Sequence, residues 1–323
     1  VKIVVTEPIH PAGMRILEQA GEVVRPATLD PAGLRAVVSD ADAVVVRITR
    51  FPAELIEAAS RLKVIGRHGV GVDNVDLEAC TRRGIPVVFT PEANAESVAE
   101  HVLGCMITLA KRILPGDRAL RAGQFAARNE LFGMELAGKT IGIIGLGRIG
   151  RRVAQMCRAA LDMHVIGLDP VISTDQAATL GIELAPDLRS LLSRADIVTL
   201  HVPLTPSTRG LLGAEQLQWM KPGAYLINTA RGGIVDEQAL YEALTAGRLA
   251  GAALDVFAEE PPSTDHPLFR LDNVIVTPHM AAHTEEAMYR MATMVAEEIV
   301  AVLEGKRPRW CANPEVYAVG PGA

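Results

Sequence analysis

The run Thr140-Ile-Gly-Ile-Ile-Gly-Leu-Gly-Arg-Ile-Gly150 constrains this chain more than any other stretch. A short apolar strand ends in Gly145-Leu-Gly-Arg-Ile-Gly150, and a helical pattern starts at once at Arg151. Each glycine of this spacing has a physical task. Gly145 allows a tight turn, Gly147 lets the backbone approach a pyrophosphate, and Gly150 lets helix pack on strand. The helix N-terminus then offers unpaired N–H groups and a positive dipole to an anion. A second strand, His164-Val-Ile-Gly-Leu-Asp169, ends in an acid where the ribose of a dinucleotide is expected. No arginine follows Asp169 in Pro170-Val171-Ile172 to welcome a 2′-phosphate, so NAD is the expected cofactor.

The chain has 323 residues, enough for about two domains. Its net charge of −6 argues against a nucleic-acid partner, which calls for a basic excess. Lysines and arginines are scattered, and the longest apolar runs are strand-length, so neither a membrane surface nor a bilayer span is expected. Val1-Lys-Ile-Val-Val-Thr6 reads as a first strand rather than a signal peptide, which favours the cytoplasm. Cys80, Cys105, Cys157 and Cys311 are widely separated and read as reduced, mostly buried thiols. No metal site is expected.

Strand-like and helix-like runs alternate along almost the whole length, the pattern of parallel sheets covered by helices. In the first part the strands are read at 2–6, 44–47, 64–67 and 87–89. A long, almost fully apolar helix is expected from about Ala95 to Ile113, broken or kinked by Pro115 and Gly116. Residues 117–138 read as a connecting arm in which Phe125, Leu131 and Phe132 suit either an intersubunit contact or an anchored surface loop. From Lys139 the alternation restarts, with strands at 140–145, 164–168, 197–202, 224–229, 251–256 and 274–277. The dinucleotide unit therefore lies inside the chain.

Several of these strands end in polar clusters: His201-Val-Pro203, Asn228-Thr-Ala-Arg231, Asp255 and His279. Ligands of open α/β sheets bind beyond the carboxyl ends of the strands, so these residues converge on one crevice. Arg231, before two glycines, is placed to meet an anion in fork geometry. His279 suits proton transfer to a reacting oxygen, and a carboxylate such as Glu260, with Glu259 as second choice, would orient it and favour its charged form. In the other part of the chain Gly66-Arg-His-Gly-Val-Gly-Val-Asp-Asn74 follows a strand. There Gly69 and Gly71 let successive N–H groups point into a concavity suited to a carboxylate.

These runs, with Glu96-Ser-Val-Ala-Glu100, Asn228-Thr-Ala-Arg-Gly-Gly-Ile-Val-Asp-Glu237, Ala253-Leu-Asp-Val-Phe257, Glu260-Pro-Pro262 and Thr277-Pro-His279, resemble the D-isomer-specific 2-hydroxyacid dehydrogenases. The likeness spans about Val44 to Ala296 and is strongest to the 3-phosphoglycerate dehydrogenase branch. The resemblance implies Arg231, Glu260 and His279 as catalytic residues. It implies cofactor contacts at Gly145, Gly147, Arg148, Ile149, Gly150, Asp169, His201, Val202, Pro203, Thr229, Ala230, Arg231, Asp255, His279 and Ala281. Substrate contacts are implied at Arg47, Arg67, His68, Gly69, Val70, Gly71 and Arg231, and His10 is a further candidate for the pocket.

It also implies a topology of two doubly wound parallel-sheet α/β domains. A Rossmann cofactor domain (97–282) is inserted into a flavodoxin-like substrate domain (1–96 and 283–323), and the expected assembly is a homodimer through the cofactor domain. The implied activity is NAD-dependent interconversion of a D-2-hydroxy acid and its 2-oxo acid. The departures lie at the substrate. The branch usually has a small residue where His68 stands, and often Ser or Thr where Ile48 and Val70 stand. Arg47 and Arg67 match its anion-binding arginines and favour an anionic hydroxy acid such as 3-phosphoglycerate. The alternatives are a hydroxypyruvate/glyoxylate or 2-ketoaldonate reductase and, in another class, an NAD(H)-sensing regulator of the same fold. Glu260 speaks against a formate enzyme, which would carry Gln there.

Overall fold

A computed structural model describes residues 1–318. In chain order the elements are β1 (Lys2–Val5), α1 (Pro11–Ala20), β2 (Glu22–Val24), α2 (Pro31–Val38), β3 (Ala43–Val46), α3 (Ala53–Ala58), β4 (Val64–Arg67), α4 (Leu77–Arg82) and β5 (Val87–Val88). There follow α5 (Ala95–Ala110), α6 (Ile113–Arg121), β6 (Thr140–Ile144), α7 (Arg148–Leu161), β7 (His164–Leu168), α8 (Thr174–Thr179), β8 (Glu183–Leu184), α9 (Leu188–Arg194) and β9 (Ile197–Leu200). The chain continues with α10 (Ala214–Trp219), β10 (Ala224–Asn228), α11 (Glu237–Thr245), β11 (Leu249–Leu254), β12 (Val274–Val276) and α12 (Glu285–Leu303). Among the described residues no helix is long and apolar enough to cross a membrane.

The chain divides into two compact units, one of Val1–Asn94 with His283 onward, the other of Ala95–Ala282. The sequence boundary 283–323 includes residues 319–323, which lie outside the described residues. In the first unit five parallel strands run in the order β2-β1-β3-β4-β5, the flavodoxin-like order. Leu34, Val38, Leu55, Ile56 and Cys80 cover one face of this sheet, and Leu17, Ala292, Val295 and Ile299 the other. Helix α12 thus returns late in sequence to complete a core begun at β1. It lies close enough to α1 that a Cβ on Gly13 would stand 2.4 Å from Ala292 O.

In the second unit seven parallel strands run β12-β11-β10-β9-β6-β7-β8, the doubly wound dinucleotide order with an added edge strand. Strands β6, β9 and β10 lie at its centre and are almost wholly buried, because parallel strands with helices on both faces lose their polar alternation. Leu191, Leu217 and Leu240 pack on one face, and Val102, Met106 and Val153 on the other.

The long helix ends earlier than its apolar run suggested. It stops at Ala110, and Arg112 turns the chain in the left-handed region at φ 53°. Pro115 and Gly116 lie inside α6 rather than breaking a helix. Pro115 is at the third helical position, where its missing N–H has no intrahelical partner to lose. The arm is therefore helical to Arg121 and has a 3-10 turn at Phe125–Asn129, with Phe125 and Phe132 exposed. The cysteines are unpaired, and burial pushes Cys80 and Cys157 up to about 12 and Cys105 up to about 11. None of these three is a thiolate at neutral pH.

Candidate active site

The strand order of the second unit reverses between β6 and β9, and a ligand crevice forms at the carboxyl ends of such strands. Gly145 turns the chain there at φ +95°. A Cβ on Gly145 would stand 2.6 Å from His201 O, and one on Gly150 would stand 2.0 Å from Gly145 O. Gly147 differs: a Cβ there meets no protein atom within 4 Å. Gly147 also caps α7 and has no side chain to fill the helix N-terminus, which leaves an open cradle. That fits a pyrophosphate.

The neighbouring candidates line up with this cradle. Asp169 Oδ2 accepts from Leu146 N at 2.7 Å, and Oδ1 from Val171 N at 2.8 Å. The carboxylate is fixed against the glycine turn, and its remaining lone pairs suit ribose hydroxyls. Arg148 is exposed and Ile149 half-buried in the first turn of α7. His201, Val202 and Pro203 leave the end of β9. Burial pushes the His201 imidazole down to about 3, so it is neutral, and its Nε2 lies 3.0 Å from Thr199 Oγ1. Asn228 holds the turn after β10 by accepting from Ala230 N at 3.0 Å and donating to Arg231 O at 2.9 Å. The Thr229 hydroxyl is buried there without a partner, as a group is when a ligand is meant to satisfy it.

Arg231, Glu260 and His279 are brought together in this unit. Glu260 Oε2 lies 2.8 Å from His279 Nδ1, and Oε1 accepts from Phe257 N at 3.1 Å. Burial pushes the Glu260 carboxyl up, but the His279 hydrogen bond and charge, the Phe257 amide and the nearby Arg231 charge outweigh it and hold it below the usual value. It is an anion at neutral pH. The Arg231 turn and the Glu260 segment touch: a Cβ on Gly232 would overlap Phe257 O at 1.8 Å. His279 itself is in the left-handed region at φ 51°. Its N–H donates to Asp255 O at 2.8 Å. The buried Asp255 carboxylate accepts from Thr277 Oγ1 at 2.6 Å, Met280 N at 2.8 Å and Ala281 N at 2.9 Å. An imidazole fixed in this way through Nδ1 has only Nε2 to exchange a proton.

In the first unit the strand order reverses between β1 and β3; Arg47 follows β3, Arg67 ends β4 and His68 follows it. Glu7, beyond β1, was not singled out from sequence. Its buried carboxylate accepts from Arg47 N and Ile48 N, each at 3.0 Å, and from Thr49 N at 2.7 Å. Burial pushes Glu7 up, but these donors and the Thr6 and Thr49 hydroxyls bring it below the usual value. Arg47 is anchored by Pro8 O at 2.9 Å and faces His283 Nε2 at 3.2 Å. Arg67 folds back onto His68 O. Burial, then Arg47 and Arg67, push the His68 imidazole down to about 3, and its Nε2 has no partner. The Gly69 amide is already used by Arg67 O at 2.9 Å, which narrows the expected carboxylate cradle to the amides of Val70 and Gly71. His10 accepts from Ala12 N through Nδ1 at 3.1 Å, donates through Nε2 to Glu285 at 3.0 Å and stands edge-on to Tyr289.

Residues 103–281 match the family described as D-isomer specific 2-hydroxyacid dehydrogenase, NAD binding domain. The chain belongs to this family. It is 50% identical over 307 residues to the D-3-phosphoglycerate dehydrogenase of Methanocaldococcus jannaschii, covering 95% of this chain and 58% of that protein. The D-3-phosphoglycerate dehydrogenase of Archaeoglobus fulgidus is 46% identical over 314 residues, 97% of this chain and 59% of that one. The chain thus spans less than three-fifths of the length of these two relatives. A crystal structure of a Thermus thermophilus protein superposes with a TM-score of 0.89 at 39% identity, covering 97% of this chain and 100% of the other. The family description makes the dinucleotide expected at the glycine turn a nicotinamide one.

Gly147 provides a test of the cradle, because its φ of −69° suits any residue and its surroundings are open. Gly147→Val should leave the melting temperature nearly unchanged and weaken NADH binding, read by fluorescence titration, by about tenfold or more, since a lost pyrophosphate contact costs about 1.4 kcal/mol or more. Unchanged NADH affinity would show that the dinucleotide lies elsewhere.

Proposed function

We propose that this chain is an NAD-dependent D-2-hydroxyacid dehydrogenase, interconverting a hydroxy acid with a second anionic group, such as 3-phosphoglycerate, and its 2-oxo acid. The observation that carries the reading is the 2.8 Å contact of Glu260 with His279 Nδ1 beside Arg231. A nicotinamide cofactor held at the Gly145–Gly150 turn and Asp169 would supply the hydride for C2 in reduction and take it up in oxidation. Arg231 polarises the C2 oxygen and neutralises the charge that develops on it. His279 gives the proton from Nε2 to that oxygen during reduction and takes it back during oxidation. The Glu260 carboxylate accepts the Nδ1 proton of His279 and keeps the imidazole plane fixed. The amides of Val70 and Gly71 hold the substrate carboxylate.

Asp169 supports NAD over NADP, because its fixed carboxylate accepts ribose hydroxyls and repels a 2′-phosphate. The second anionic group is assigned to Arg47, whose anchoring by Pro8 and the Glu7-bound loop presents a preorganised guanidinium. The relatives named above are phosphoglycerate dehydrogenases, which supports the same substrate class. A homodimer through the cofactor unit is part of the proposal, and the exposed Phe125 and Phe132 support it.

Replacing His279 with Ala should lower kcat for reduction by about a hundredfold or more, the usual worth of a positioned proton donor, with NADH affinity preserved. Near-normal turnover in steady-state assays would remove His279 from the chemistry. The unmodified protein should prefer NADH to NADPH, and Asp169→Ala should narrow that ratio of kcat/KM; equal use of both by the unmodified protein would refute the cofactor assignment. Among 2-oxo acids, phosphohydroxypyruvate should exceed hydroxypyruvate and glyoxylate in kcat/KM, and Arg47→Ala should erase the difference while sparing glyoxylate. Equal losses on all three acids would transfer Arg47 from substrate recognition to support of the fold.

A further inference from the structure

The segment that carries Glu260 has little regular structure of its own. From Asp255 to His266 the chain forms neither helix nor strand, yet Glu260 must meet His279 within hydrogen-bond distance. Two residues outside the catalytic trio tie the ends of this segment to one point. Glu237 is the first residue of α11, a helix fixed by the Asp236 N-cap. Its Oε1 accepts from Ala258 N at 2.7 Å, two residues before Glu260. Its Oε2 lies 3.1 Å from His266 Nε2, six residues after Glu260. The His266 tautomer follows from its other nitrogen. Nδ1 accepts from Leu268 N, so the ring proton is on Nε2 and is donated to Glu237.

The His266 ring is also held by packing. It stands edge-on to Phe257 at 5.5 Å and tilted on Phe269 at 5.1 Å, and Phe257 supplies the N–H that Glu260 Oε1 accepts. Both members of the pair are largely shielded, with side-chain exposures of 21% and 15%, so the contact is not a loose surface pair.

We infer that Glu237 and His266 form a clasp that positions Glu260, and through it His279, for proton transfer. Neither touches the His279 imidazole, so both are positioning residues. The inference rests on the role proposed for Glu260. A carboxylate displaced by a fraction of an ångström leaves the imidazole misaimed, and misplacement of this order is costly in rate.

The test is the reductive reaction with phosphohydroxypyruvate and NADH, run across pH for Glu237→Gln, His266→Leu and His266→Gln, each alone and combined with Glu260→Gln. Glu237→Gln keeps volume but sets an amide N–H against one of the two donors. His266→Leu keeps the packing and removes the donor. Each should lower kcat by about tenfold, leave KM and NADH affinity within about twofold, and move the pH profile the same way as Glu260→Gln. Neither should lower kcat further in the Glu260→Gln background. His266→Gln, whose terminal N–H reaches Glu237, should recover most of the loss. Circular dichroism at the assay temperature fixes the folded fraction, and Glu237→Gln keeps the test open should His266→Leu unfold. Losses that multiply in the double variants, or a lowered melting temperature with intact kcat, would overturn the clasp. A profile unmoved by Glu260→Gln alone would overturn the role of Glu260 and the clasp with it. A profile moved by Glu260→Gln but by neither clasp variant would overturn the clasp alone.

Discussion

The orientation of one imidazole is the constraint around which residues 225–282 are arranged. His279 sits in left-handed backbone geometry, which costs a non-glycine residue about 1–2 kcal/mol. Asp255 offsets that cost by holding the turn through its main-chain carbonyl and both carboxylate oxygens. The buried carboxylate is therefore a bracket for residues 277–281. Glu260 then takes Nδ1 and leaves Nε2 as the working nitrogen. The left-handed turn, the bracket and the second carboxylate each fix one freedom of the same ring. The Gly232 contact with Phe257 O adds the guanidinium turn to the same rigid group.

The first unit solves a different problem by similar means. Its cations are tied to local carbonyls, Arg47 to Pro8 O and Arg67 to His68 O. Glu7 binds the three amides that follow β3 and gives the Arg47 loop a buried anionic foundation. His68 contributes by remaining uncharged between two guanidiniums, since burial and those charges push its imidazole to about 3. A third positive charge there would compete for the same counter-anions.

Much of this was legible in the sequence because phosphate binding requires glycine at particular places. A Cβ on Gly145 or Gly150 strikes backbone, so those positions cannot drift, and the order of strands and helices follows from the buried runs around them. The doubly wound parallel fold was equally legible, because its central strands are continuous apolar runs. Strands β2 and β8 were not. They are edge strands of three and two residues, each opening with a glutamate, and pair on one side only. The end of α5 at Ala110 was hidden because a left-handed Arg112 has no composition signal, whereas Pro115 has a strong one and is harmless in the first turn of α6. The contacts of Glu7, Glu237 and His266 were silent for a common reason. Each acts on backbone N–H groups or on a partner far along the chain, and such contacts leave no periodicity. The Gly69 amide shows the reverse limit: the glycine spacing was visible, but the bond to Arg67 O that occupies one amide was not.

Central to this account is hydride chemistry at C2 completed by a proton from His279. The most direct measurement follows an isotope. The protein is given NADH stereospecifically deuterated at the transferable C4 position together with phosphohydroxypyruvate, and the product is analysed by proton NMR and chiral chromatography. One deuterium is expected at C2 of a D-hydroxy acid, formed by the unmodified protein and far more slowly by His279→Ala. A product without deuterium at C2, an L-configured product, or equal rates from the two proteins would contradict it.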